Sequence, residues 1–254
     1  MSNLNVNPVN DAETADSRWK GLYRIGGAGA LITAALLPIE IVIFAVWPQP
    51  STVIGWFTLL QNNRLLGLLD LDLLGIFAYA LLVPTILALY VSLRRASESF
   101  MAIAAVLYFI GITVYFASNT IFSMLFLSDQ YAAATTDAQK SLFLAAGQAM
   151  ITFFSFTAFQ ESYVIVSVAL LIISTVMLRS LIFSKSTAYA GILANAFTLG
   201  AVALEHTPVI GSYLSFIAFL YLASIVPLTI WYALIAHKLL QLGQGISTEE
   251  GNPN

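Results

Sequence analysis

Apolar residues gather into six long runs, at about 25–47, 66–93, 100–127, 162–178, 188–204 and 213–236. A bilayer core roughly 30 Å thick takes about 20 apolar residues per helix, so each run reads as a membrane span. Two shorter apolar stretches, 52–60 and 141–159, read as non-spanning. The first follows Pro48 and Pro50, which end span one, and predicts an interfacial element around Trp56 and Phe57. The second begins at Thr136-Asp137-Ala138-Gln139, a Thr-x-x-Gln capping box that marks a helix start. Behind it, Ser141, Gln148, Thr152 and Ser155 form an uncharged polar stripe. Leu142, Phe143, Ala146, Met150, Phe153 and Phe154 form an apolar face. Crossing the membrane here would force a reversal at Gln160-Glu161 without Gly or Pro. Residues 137–159 are therefore placed on the outer side, in the interface or as a partly buried lid. The fold expected is all-α and integral to the membrane: a six-helix bundle with an outer-side amphipathic helix between spans three and four.

Lysine and arginine set the direction. Arg18, Lys20, Arg24, Arg94, Arg95, Arg179, Lys185 and Lys238 fall on the side of the termini, and only Arg64 and Lys140 on the other. By the positive-inside rule both termini are cytoplasmic, in a plasma membrane. Trp19 and Trp231 then fall at the inner interface, and Trp47 and Trp56 at the outer one. The polar lead before span one argues against a cleaved signal peptide. Residues 1–20 and 243–254 read as disordered cytoplasmic tails around a single domain, 21–242.

Composition agrees with lipid as the main solvent: 59% of the 254 residues are hydrophobic and 9% charged, against about 25% charged in soluble domains. A formal net charge of -3 gives no reason to expect nucleic acid. Without cysteine there are no disulfides, thiolate metal sites or cysteine nucleophiles. His206 falls outside and His237 inside, so they cannot share a metal or bracket a haem. No His-Glu-x-x-His, Gly-x-Ser-x-Gly or phosphate loop is present. No metal or cofactor is expected.

The candidate chemistry is in the ionisable groups, which are costly inside a membrane. Glu40, Asp70, Asp72, Asn119, Gln160, Glu161, Glu205 and His206 all fall in the outer halves of the spans, and the inner halves hold no carboxylate. Each has a simple structural reading: Glu40 paired with Arg64, Asp70 and Asp72 about 200° apart on one helix, Asn119 as interhelical glue, Glu161 at a helix start, and Glu205-His206 in a solvated turn. Together they suggest a polar pocket open to the outer face over a dry inner half. Gly26, Gly27 and Gly29 in span one, and Gly191 and Gly200 in span five, suggest close helix packing.

Tyr23-Arg24-Ile25-Gly26-Gly27, the segment from Asn63-Arg64-Leu65-Leu66-Gly67 to Asp72, Leu127-Ser128-Asp129-Gln130-Tyr131, and Thr187-Ala188-Tyr189-Ala190-Gly191-Ile192-Leu193 resemble a family of uncharacterised bacterial membrane proteins, defined by a domain of unknown function. The resemblance implies a six-helix prokaryotic membrane protein and transfers no catalytic residue. Three functions stay open. The first is binding of an amphiphile or lipid-like ligand at the outer carboxylates. The second is a lipid- or isoprenoid-modifying enzyme with a Glu or Asp general acid. The third is a structural subunit that packs against a partner protein.

Overall fold

The computed structural model describes residues 17–205 and 214–245. Among them every regular element is a helix. Six helices or helix pairs are long and apolar enough to cross a membrane: α1 (Lys20–Val46), α4 (Leu73–Leu93), α5 (Glu98–Ser118) with α6 (Ile121–Ala133), α7 (Asp137–Phe153) with α8 (Ser162–Met177), α9 (Lys185–Glu205) and α10 (Leu214–Gln244). The protein is a multi-pass membrane protein. Two short helices, α2 (Val53–Asn62) and α3 (Arg64–Asp70), join the first span to the second.

The spans close into a ring in chain order. Helix α1 packs on α4, α4 on α5, α5 on α8, α8 on α9, α9 on α10, and α10 back on α1. Short connections between antiparallel neighbours make this order natural. The main core lies inside the ring, around Tyr108, Leu89, Leu170 and Trp231. At the end where α1 begins and α10 ends, Arg24 Nε donates to the Gly243 carbonyl at 3.0 Å and closes the ring.

Beyond the other end of the ring stands a cap. The helix running Asp137–Met177 has 41 residues, roughly 60 Å at ~1.5 Å per residue, about twice the hydrocarbon thickness. Its first part, α7, therefore extends span four rather than lying across it, so no reversal at Gln160-Glu161 is needed. Helix α6 extends span three in the same way, after a break at Asn119-Thr120. Val53, Trp56, Phe57, Leu60, Leu71, Ile121 and Met124 form a second buried core between α2, α6 and the loop after α3, with Phe143, Leu144 and Met150 of α7 against it.

The expected capping box is present: Thr136 Oγ1 accepts from Gln139 N, and Gln139 Oε1 accepts from Thr136 N. Several local expectations are corrected. The polar stripe of α7 (Ser141, Gln148, Thr152), continued by Ser155 just beyond it, is exposed, because the Gly147 side of the helix is pressed against Val53 and Phe57. Trp56 is a core residue of the cap, and Trp231 is wholly buried inside the ring; neither is an interfacial ring.

Tight packing at span one follows from its glycines. A Cβ on Gly29 would stand 2.3 Å from the Leu81 carbonyl, and Thr85 Oγ1 donates to the Gly26 carbonyl at 2.7 Å. Backbone cannot move aside as a side chain can, so Gly29→Ala should lower stability by about 1–3 kcal/mol. A Cβ at Gly200 would meet only Leu220 at 3.9 Å, so Gly200→Ala should cost nothing. Detergent-solubilised unfolding of both variants checks the contrast.

Candidate functional site: a polar layer below the cap

The layer is built around a break in the chain. The apolar run from 66 onward reads as one helix, but α3 ends at Asp70 and α4 starts at Leu73. Between them Asp72 takes φ 76° and ψ 35° and is the only described non-glycine residue with positive φ. Aspartate tolerates this left-handed conformation better than most residues because its short side chain bonds locally. Asp72 Oδ1 accepts from Gly75 N at 3.2 Å, capping α4, and Oδ2 accepts from the Tyr115 hydroxyl at 2.5 Å. The Glu40 carboxyl of α1 lies within hydrogen-bonding reach of Asp72. A separation of about 200° between Asp70 and Asp72 holds only for an unbroken helix. With the break, both are buried, at 0% and 3% exposure.

Every span contributes to this level of the bundle. Tyr79 of α4 stacks at a tilt on Tyr115 of α5, ring centroids 4.5 Å apart. Tyr163 of α8 is within electrostatic reach of Glu40, Asp72, Tyr115 and Tyr221. The Tyr221 hydroxyl of α10 donates to Glu205 Oε2 of α9 at 2.9 Å. Deeper in the ring Tyr79 is within reach of Tyr232, and both are within reach of Tyr108. The Tyr108 hydroxyl is buried without a hydrogen-bond partner.

Burial, and secondarily the Glu40 carboxyl, pushes Asp72 well above the usual carboxylate range. It sits just outside the span Leu73–Leu93. Two carboxyls this close and away from water repel each other when both are charged, which favours the protonated form of Asp72. Removing the phenol that steadies this pair should be costly. Tyr115→Phe leaves a buried acceptor unpaired and is expected to lose about 1–3 kcal/mol, read as a shift in the unfolding transition.

The remaining candidates are dispersed. Asp70 is fully buried with neither carboxyl oxygen bonded; loss of solvation pushes it up to about 6, and no other acid contributes, so it stands apart from the pair. Asn119 follows the end of α5 and serves the start of α6: its Oδ1 accepts from Ile121 N at 3.1 Å, and its buried Nδ2 has no partner. Gln160 is half-buried and Glu161 exposed. Glu205 is engaged with Tyr221, and His206 lies outside the described residues. Arg64 does not meet Glu40; it pairs with Asp129 at 2.7 Å on the cap surface.

Gln160 and Glu161 belong to an eight-residue π-helix, Phe154–Glu161, which joins α7 to α8. Its Phe154 and Ala158 pack on Tyr115, and Ser162 Oγ donates back to the Ala158 carbonyl. The wide turn leads directly into Tyr163, so it sets the angle at which that phenol enters the layer. Wide turns of this kind often accompany functional sites.

Residue patterns pointed to the carboxyls but passed over Tyr79, Tyr115, Tyr163 and Tyr221. A signal existed: Tyr79 follows Asp72 by seven positions, and Tyr115 follows Tyr108 by seven, which puts each pair on one helix face. Nothing matches the chain among family models, curated proteins or solved structures.

Proposed function

We propose that this multi-pass membrane protein binds the cationic polar end of an amphiphile or lipid-like molecule in the layer around Glu40 and Asp72, reached from the outer face of the plasma membrane. We place it with the bacterial six-helix proteins of unknown function that its motifs resemble. In this reading both termini are cytoplasmic, since eight of the ten lysines and arginines lie at their end of the bundle. The observation that carries the proposal is the acid pair itself. Among the described residues, the groups acting on Asp72 are Glu40, the Tyr115 hydroxyl and the Gly75 N–H, and none is a cation. A buried anion without a counter-ion is costly, and a ligand cation removes that cost. Protein purified from membranes should carry a ligand visible by native mass spectrometry, and Glu40→Gln should lose it. Retention of the same ligand by Glu40→Gln and Asp72→Asn alike would sink the reading.

A second reading has one observation in its favour. A carboxyl pair that shares a proton has one to donate, as a general acid acting on a lipid or isoprenoid would need. Incubation of the purified protein with a lipid extract separates the two. A change in lipid composition that Glu40→Gln abolishes favours the enzyme.

A further inference from the structure

We propose that the Glu40–Asp72 site, taken as the cation site of the preceding section, exchanges one proton for one alkylammonium ion, so that ligand binding rises with pH. Asp72 Oδ1 is served by Gly75 N and Oδ2 by the Tyr115 hydroxyl. Glu40 Oε1 is buried and receives no donor from the chain. The proton that Asp72 carries offers the pair one donor. An ammonium N–H offers the same Oε1 a donor and brings a charge as well.

The exchange balances. The occupied pair of two carboxylates plus R–NH3+ carries the same net charge, one negative, as the empty pair that keeps its proton. The Asp72 O–H bond breaks, its electron pair stays on the carboxylate, and the proton leaves to water. The N–H bonds of the ligand stay intact. An alkylammonium resembles lysine, which titrates near about 10.4, so the ligand itself does not titrate across the neutral range.

One neighbour, Asp70, is pushed up to about 6 and changes charge over the same range; counting the protons released on binding separates the exchange from it. Facing the pair are Tyr79 on its own helix α4, Tyr115 from α5 and Tyr163 from α8, with Tyr221 and Tyr232 of α10 and Glu205 of α9 behind them. Phenols ordinarily titrate near about 10. Asp70 of α3 is near in sequence but adds nothing to the shift at Asp72. A second observation points inward from the same layer: the Tyr108 hydroxyl, 0% exposed and unpartnered, stands within reach of Tyr79 and Tyr232. It offers a donor or acceptor to a ligand that extends from the acid pair toward the middle of the ring.

The test uses the full chain in phosphatidylcholine nanodiscs, with empty nanodiscs as the baseline. Octylammonium is titrated at pH 6 and pH 7 in weak buffer, and released protons are counted. The expected result is about one proton per bound ligand and an affinity about tenfold higher at pH 7, since one proton exchanged per ligand gives one decade per pH unit. Octyltrimethylammonium has charge but no N–H, and octanol has a donor but no charge. Both are expected to bind at least about tenfold more weakly, the value of a charge-assisted hydrogen bond. Glu40→Gln keeps the size of the side chain and should abolish octylammonium binding, and with it the proton release.

Octylammonium that binds equally at both pH values without proton release overturns the exchange and leaves the cation-binding reading standing. Equal binding of octyltrimethylammonium with proton release overturns the role of the N–H donor. Failure of every probe to bind overturns both readings. Nanodiscs containing phosphatidylethanolamine identify the source: they blunt octylammonium binding where the ligand is a lipid headgroup and leave it unchanged where it is a free amine. Either result upholds the exchange.

Discussion

Asp70→Asn will flatten the pH dependence of stability between about pH 4 and pH 6, and at pH 7.5 it will be worth about 3 kcal/mol. The carboxyl of Asp70 is fully buried, and neither oxygen has a partner. Loss of water raises it from 3.8 to about 6 in the folded protein. A raised carboxyl favours folding while protonated. Its contribution is full below the unfolded value, shrinks as pH climbs, and is lost through the folded value near 6. Above that the protein holds an unpaired buried charge. The size follows from the rise of about two pH units at about 1.4 kcal/mol each. The wild type should therefore weaken from pH 4 to pH 7, while the asparagine variant stays level. Unfolding in mixed detergent micelles at pH 4.5, 6 and 7.5 reads both curves. A wild-type curve as flat as that of the variant would show that water or another group reaches Asp70.

The same residue shows where sequence reading stopped. Span number, order and charge asymmetry were legible because each depends on composition over twenty residues, which the bilayer filters by length alone. The Thr136–Gln139 cap was legible because its partners are three residues apart. Asp70 and Asp72 were visible as carboxyls, but the run Leu66–Leu74 has no proline, and its one glycine comes before the break. Nothing local announced that the helix stops at Asp70 and restarts beyond Asp72. The cap was hidden for another reason. Trp56 and Phe57 look like interfacial aromatics until Ile121 and Met124, more than sixty residues away, are packed on them. Tyr163 was hidden in the same way, since its place in the layer depends on the wide turn of the π-helix just before it.

These breaks belong to one device. Below the layer the described spans run as unbroken α-helix. The three irregular points near the end of the ring are Asp72 in its left-handed conformation, Asn119 at the end of α5, and the π-helix ahead of Tyr163. Each interrupts a span where it leaves the ring for the cap, and two of them deliver a polar side chain into the layer. Irregular backbone in a membrane protein is tolerated where protein or water covers it. Here the cap core of Trp56, Phe57 and Ile121 supplies that cover. Local conformations of this kind persist only when the surrounding structure holds them in place, and they gather at sites of function.

Gly75→Ala is the sharpest test of that device. An alanine Cβ at this position would lie 2.1 Å from Asp72 Oδ1 and 2.6 Å from its carboxyl carbon. No side-chain contact of that length exists, so the carboxyl must swing away. Three interactions go with it: the cap on Gly75 N, the Tyr115 hydrogen bond, and the contact with Glu40. Loss of a helix cap alone costs about 1 kcal/mol, and stranding a buried hydroxyl or carboxyl adds about 1–3 kcal/mol. Alanine is the better helix former by up to about 1 kcal/mol, which offsets only part of this. A net loss of about 2–4 kcal/mol is expected, together with loss of alkylammonium binding. Asp72→Asn separates the two effects: its amide oxygen can still cap α4, so much of the stability should return, but it has no carboxyl to ionise and binding should not. A Gly75→Ala protein as stable as the wild type, with ligand binding intact, would mean that Asp72 does not hold this pose. The acid pair would then be lost as the organising feature of the layer.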